Sequence, residues 1–137
     1  MKAVLDTNVL VSALLYQGTP FRVLLAAEQG LYELVVSDEM LKELERVLLQ
    51  KFRLASEETQ EAIQMLRAIG TKIEIEEPET IVAEDPDDDK FLAAALASGA
   101  PFLVSGDKHL LRLRAYTKVQ IVTAREFLEQ ILRESNL

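Results

Sequence analysis

An α/β/α sandwich, three layers with a mainly parallel sheet in the middle, is the fold class this sequence predicts. The apolar runs Ala3-Val4-Leu5, Leu34-Val35-Val36 and Phe102-Leu103-Val104 have the length and continuity of strands buried on both faces. Longer stretches with apolar residues at helical spacing separate them. Residues that start and stop helices stand at the junctions, so strands alternate with helices as a parallel sheet requires.

In chain order, Ala3-Val4-Leu5 stops at Asp6, and Thr7 or Asn8 can cap a helix running through Val9 to Leu15. Thr19-Pro20 supplies a cap and a proline at the first helical position for Phe21 to Gln29, which Gly30 closes. After the strand Leu34-Val35-Val36, Ser37 caps a helix with Asp38 and Glu39 in its first turn, where the helix dipole favours them. That helix turns Met40, Leu44, Val47 and Leu48 inward, with Glu43 on the flank of the stripe. Ser56 caps the next helix, Ile63, Leu66 and Ile69 line it, and Gly70 ends it. Lys72 to Glu76 alternates as a short strand, and the loop after Pro78 is acidic. Asp85-Pro86 starts a helix over Asp87 to Ser98, which Gly99 terminates. Phe102-Leu103-Val104 leads through Ser105-Gly106 to Asp107. Val119 to Val122 is the final strand, and Thr123 with Glu126 forms a capping box for a helix carrying Phe127, Leu128, Ile131 and Leu132 on one face.

The 137 residues, 49% apolar, suit one domain over residues 1–137, with enough core and too little charge for disorder. There is no cysteine and a single histidine, His109, which excludes disulfides and thiolate metal sites. The apolar run after Met1-Lys2 meets Asp6 too soon for a secretory segment or membrane span, so a cytoplasmic location without membrane attachment is expected. A net charge of -8 opposes phosphate binding in the sum. The distribution differs: five of the 23 acids lie within Glu84 to Asp89, whereas Lys108, His109, Arg112, Arg114 and Lys118 make a basic stretch after Asp107. Surplus carboxylates that hold a divalent metal, beside a basic rim, are compatible with RNA.

In open parallel sheets the site lies outside the carboxyl ends of the strands, near the switch in strand order. Asp6 and Asp107 each follow a three-residue apolar run, a costly place for an uncompensated carboxylate. Two carboxylates ~5 Å apart at an effective dielectric of ~20 repel by roughly 3 kcal/mol, so a cluster of them calls for cations. Hard Mg²⁺ or Mn²⁺ suits an all-oxygen site. Each acid has a structural explanation when taken singly. Asp6 can be a cap, Glu43 a solvated flank residue, Asp107 a turn residue, and Asp85, Asp87, Asp88 and Asp89 a negative helix start. His109 reads as a surface or phosphate-contacting residue.

The ordered set of motifs resembles the PIN-domain nucleases. Val4-Leu5-Asp6-Thr7-Asn8-Val9 resembles their opening strand, ending in Asp-Thr-Asn. Ser37 and Glu43 in SDEMLKELERVL resemble the second acidic helix, DDKFLAAALASGA supplies Asp89 before Leu92-Ala93, and LVSGD ends at Asp107. The likeness runs from Val4 to about Asp107 and is strongest to small prokaryotic toxin components of toxin–antitoxin pairs. It implies a PIN-like fold and a Mg²⁺- or Mn²⁺-dependent endoribonuclease with one or two ions. Asp6, Glu43, Asp89 and Asp107 match the acidic quartet, and Asn8 and Ser105 the polar residues that support it. In the DPDDD run, Asp88 is the alternative third acid. A small antitoxin partner is implied as well, and many members form homodimers.

The expected reaction is in-line hydrolysis of an RNA phosphodiester, leaving a 3′-hydroxyl and a 5′-phosphate, a chemistry that metal supports without histidine. Lys108, Arg112 and Arg114 are candidate phosphate contacts. A haloacid-dehalogenase phosphatase also opens on a strand ending in aspartate, but it needs a second aspartate two residues on, where Asn8 stands. The non-catalytic alternative is a silent PIN-like module that binds RNA or a protein partner.

Overall fold

The computed structural model describes residues 1–74 and 89–135. In chain order the elements are β1 (Lys2–Leu5), α1 (Thr7–Leu15), α2 (Thr19–Glu28), β2 (Glu33–Val36), α3 (Asp38–Gln50), α4 (Ser56–Ile69) and β3 (Gly70–Lys72). After them come α5 (Asp89–Ser98), β4 (Phe102–Val104), α6 (Lys108–Leu113), β5 (Ala115–Tyr116), β6 (Val119–Val122) and α7 (Ala124–Ser135). The strand order is β3-β2-β1-β4-β6-β5, parallel throughout except for the β5–β6 pair. The chain lays β2 and β3 on one side of β1 and returns to place β4 on the other. The carboxyl ends of β1 and β4 therefore flank the topological switch, where open α/β sheets bind ligands.

Alternation along the buried strands sorts the core into two layers. Ala3, Leu5, Leu34, Val36 and Val104 pack with side chains of α1, α2, α4 and α7. Val4, Val35, Leu103 and Ile121 pack on the opposite face with α5 and Leu110 of α6. Helix α3 gives Leu41, Leu44 and Leu48 to the first layer and Met40 to the second, so it straddles the layers after the end of β2. That placement brings Glu43 to the functional end of the sheet. No single described helix is long and apolar enough to cross a membrane.

Local signals explain most element boundaries. The Ser37 hydroxyl accepts the Met40 N–H at 3.2 Å, and Thr123 and Glu126 bond reciprocally at 3.0 and 3.1 Å as a capping box. Gly70 lies where α4 runs straight into β3: a β-carbon there would sit 2.8 Å from the Leu66 carbonyl oxygen and 3.0 Å from both Val36 methyls.

Several boundaries differ from expectation. Asp6 itself, not Thr7 or Asn8, caps α1. Ala55 precedes α4 without a side-chain cap, so Ser56 is its first helical residue. Strand β3 begins at Gly70 because its pairing with β2 starts there, opposite Leu34. Leu132 is 43% exposed, beyond the buried stripe of Phe127, Leu128 and Ile131. Helix α6 and strand β5 were not anticipated; they fill the interval after Asp107, with Arg114 and Thr117 at positive φ. The acidic loop after Pro78 and the helix start expected at Asp85 to Asp88 lie outside the described residues.

Candidate active site

Asp6 continues the β1 ladder by donating its N–H to the Val104 carbonyl at 3.0 Å, then leaves the sheet as the cap of α1. Its side chain is 3% exposed. Oδ1 accepts the Val9 N–H at 2.9 Å, and Oδ2 accepts the hydroxyl of Ser105. Ser105 is fully buried one residue beyond β4, fixed by its N–H to the Val122 carbonyl at 2.9 Å. The same Ser105 Oγ accepts the Asp107 N–H at 2.9 Å. One hydroxyl thus ties the two strand-end acids together across the switch.

Asp107 is half-buried and caps α6, its Oδ1 accepting the His109 N–H at 2.7 Å. Glu43 approaches from α3. One of its oxygens accepts the Thr7 hydroxyl, and Oε1 pairs with Lys90 Nζ at 2.6 Å. Lys90 is the second residue of α5, so the ion pair clamps the start of that helix to α3.

Desolvation is the largest influence on Asp6 and raises its pKa above the ordinary carboxylate value. The hydrogen bonds from Ser105 and Val9 oppose the rise, and the negative charges of Asp107 and Glu43 add to it. Asp6, Asp107 and Glu43 therefore share one electrostatic neighbourhood. Among the described residues, however, no three acids stand together as a ready-made metal cage. Glu43 is committed to Thr7 and Lys90, and Asp107 spends an oxygen on its helix cap.

Asp89 is the first residue of α5, next to Lys90, which brings its backbone toward Glu43. Its side chain and all of Asp88 lie outside the described residues. Asn8 is exposed on the first turn of α1 and makes no side-chain hydrogen bond among the described residues. Lys108, His109, Arg112 and Arg114 are exposed along and just after α6. Sequence reasoning passed over Thr7 and Lys90. Each directly follows a candidate acid, Asp6 or Asp89, and that adjacency was the available signal.

An open parallel sheet with carboxylates gathered at its β1–β4 switch defines an α/β protein with an acidic strand-end site. The PIN domain model matches residues 2–109, from β1 to the start of α6, and the chain belongs to that family. The fold is also that of a chain in the crystal structure of VapBC2 from Rickettsia felis bound to a DNA fragment from their promoter. The TM-score is 0.61 at 16% identity, covering 88% of this chain and 97% of that one. No curated protein matches the chain.

Proposed function

We propose that this PIN-domain protein is a metal-dependent endoribonuclease of the cytoplasm and the toxin component of a toxin–antitoxin pair. The observation that carries the reading is the buried Asp6 carboxylate, which desolvation and two further acids drive toward protonation. A divalent cation is the natural compensation for such a site, and the candidate donors are all oxygens, which suits Mg²⁺ or Mn²⁺. Asp6, Glu43, Asp89 and Asp107 would hold one or two ions. Bound metal would lower the pKa of water and neutralise charge building on the phosphoryl oxygens.

The protein's own groups have distinct tasks in this scheme. Ser105 holds the Asp6 carboxylate with its hydroxyl hydrogen and the Asp107 backbone with its hydroxyl oxygen. Thr7 holds Glu43 by its hydroxyl, and Glu43 would ligate the ion directly or through water and help orient the attacking water. Lys108, Arg112 and Arg114 would meet backbone phosphates. The water oxygen forms the new bond to phosphorus, the bond to the 3′ oxygen breaks, and that oxygen takes a proton, giving a 3′-hydroxyl and a 5′-phosphate.

The toxin assignment draws on family membership and on the likeness to a chain of VapBC2, a complex described as bound to its promoter DNA. A small antitoxin would then be the regulatory partner. The Lys90–Glu43 pair favours one second reading, a silent RNA-binding module in which an ammonium stands in for the ion. Incubation of purified protein with a broad RNA pool, in Mn²⁺ and in EDTA, separates the two. Cleavage that needs Mn²⁺ and disappears in Asp6→Asn supports the nuclease; binding without cleavage supports the module.

A further inference from the structure

Beside the acids, between α3 and α5, lies an open cleft of about 370 Å³ lined by Glu39, Lys42, Glu43, Arg46 and Lys90. Among the described residues that line it, Lys42, Arg46 and Lys90 are cationic in a chain whose net charge is -8, and none of the three belongs to the basic stretch after Asp107. Lys90 is fixed in the wall by its bond to Glu43. Lys42 and Arg46 are different: both are exposed, and among the described residues neither makes an ion pair. They stand four residues apart on one helix, a spacing of about 6 Å along the axis at which like charges destabilise the helix. An anion laid across that turn would reverse the sign of the interaction.

We infer that this cleft binds backbone phosphates of the RNA on the side of the acids away from the basic stretch of α6. The inference rests on the nuclease reading and adds a substrate path to it. Glu43 belongs both to the cleft wall and, through the Thr7 hydroxyl, to the group around Asp6. A strand whose reacting phosphate lies at Asp6 passes Glu43 to enter the cleft. Its next phosphates meet Lys90 and then the Lys42–Arg46 turn. Such contacts hold a strand in place without reading its bases.

The test measures anisotropy of a labelled single-stranded RNA of about 12 nucleotides across a salt titration. Asp6→Asn is the parent, so that binding is read without cleavage. Adding Lys42→Ala and Arg46→Ala is expected to weaken binding about tenfold and to flatten the slope of log K against log salt by about 1.4, two phosphates at ~0.7 each. Arg125→Ala, on α7, removes equal charge per residue and leaves affinity and slope unchanged. In the active protein the double substitution raises KM and spares kcat, as loss of uniform binding does. Affinity within twofold of the parent, or a fall in affinity with an unchanged slope, overturns the inference. Unchanged RNA binding with lost binding of polyglutamate overturns it in favour of an acidic protein partner. If the wild-type protein cuts RNA while the double variant binds like its parent, the cleft alone is refuted. If the wild type neither binds nor cuts, the nuclease reading falls and the cleft with it.

Discussion

Asp6→Asn is expected to make the metal-free protein more stable while abolishing its activity. The substitution keeps the side chain's shape, and the amide oxygen still accepts the Val9 N–H. The negative charge disappears from a site that is 3% exposed. Like charges roughly 6 Å apart at an effective dielectric of ~20 repel by about 3 kcal/mol. Of the two acids acting on Asp6, Glu43 already has a cation in Lys90, so relief of about one such repulsion, from Asp107, is the relevant gain. Ser105 loses part of this. Its Oγ already accepts the Asp107 N–H, and next to an amide N–H its own hydrogen lacks the carboxylate acceptor, a cost of about 1 kcal/mol. The balance is about 2 kcal/mol, or a Tm higher by about 7 °C for a chain of this size.

The same prediction has a pH signature. Asp6 has a raised pKa in the folded state, so the protonated carboxyl is what the fold favours. Its stabilising contribution is fully present below the unfolded carboxylate value of about 3.9 and is lost as pH rises through the folded value. In EDTA, melting curves of wild type and Asp6→Asn should coincide near pH 3.5 and separate at neutral pH, the variant melting higher. Mn²⁺ should then lift the wild type and not the variant, because an ion bound only by the folded state stabilises by mass action. A variant that melts at or below the wild type in EDTA at pH 7 would refute the reasoning, as would a gap that is constant from pH 3.5 to 8.

Lys90→Met removes the cation from a pair whose side chains are only 18% and 13% exposed, leaving Glu43 with the Thr7 hydroxyl. A loss of about 1–3 kcal/mol is expected by urea denaturation, with Mn²⁺ recovering more in the variant than in the wild type; equal recovery would separate Glu43 from the ion site. Ser105→Ala deletes one of the hydrogen bonds that hold the Asp6 pKa down, so the acidic limb of kcat/KM should move to higher pH, with about 2 kcal/mol lost in stability. Gly70→Ala drives a β-carbon against the Leu66 carbonyl and Val36, and calorimetry should show about 1–3 kcal/mol of destabilisation with metal response unchanged. Asp89→Asn should end metal-dependent cleavage while Asp88→Asn leaves it near wild type; the reverse outcome would shift the third acid by one residue.

Much of the frame was legible because its signals are local. A run such as Leu34-Val35-Val36 cannot be a half-solvated strand, and it is buried on both faces in an interior position of the sheet. Ser37 and the Thr123–Glu126 box each declare a helix start within four residues. Asp6 immediately after one apolar run and Asp107 three residues after another are conspicuous acids, and strand order then places both at the switch. What escaped notice depends on neighbours distant in sequence. Asp6 caps α1 because the Val9 N–H reaches it, whereas Thr7, a plausible cap by composition, is turned toward Glu43. Helix α6 and strand β5 are too short for a periodicity to appear, and β5 exists only through its pairing with β6. In the sequence Lys90 is one more charge after the run of aspartates. Only the approach of α5 to α3 gives it a partner 47 positions away.

That partner changes how the acidic site should be understood. A fold that gathers Asp6, Asp107 and Glu43 at one sheet end must remain folded before any ion arrives, and each carboxylate has an internal answer to that demand. Asp6 is desolvated but accepts two hydrogen bonds and is pushed toward holding a proton. Asp107 accepts the His109 N–H at the start of α6, and Glu43 has an ammonium 2.6 Å away. None of these arrangements disposes of the negative charge irreversibly: a proton can leave, a cap can be shared, and a lysine side chain can swing to another anion. The cleft next to Lys90 offers such an anion if RNA phosphate enters it. Ion and substrate would then favour the same rearrangement, the ion by taking Glu43 and the phosphate by taking Lys90. Metal affinity and RNA affinity should accordingly be coupled through Lys90, and by linkage the coupling must be reciprocal. Mn²⁺ titrations of the wild type and Lys90→Met, each with and without a non-cleavable RNA analogue, resolve the point. RNA should tighten Mn²⁺ binding in a protein that retains Lys90, and the enhancement should shrink in Lys90→Met. An enhancement of the same size in Lys90→Met would mean that metal and phosphate meet the site independently of this lysine.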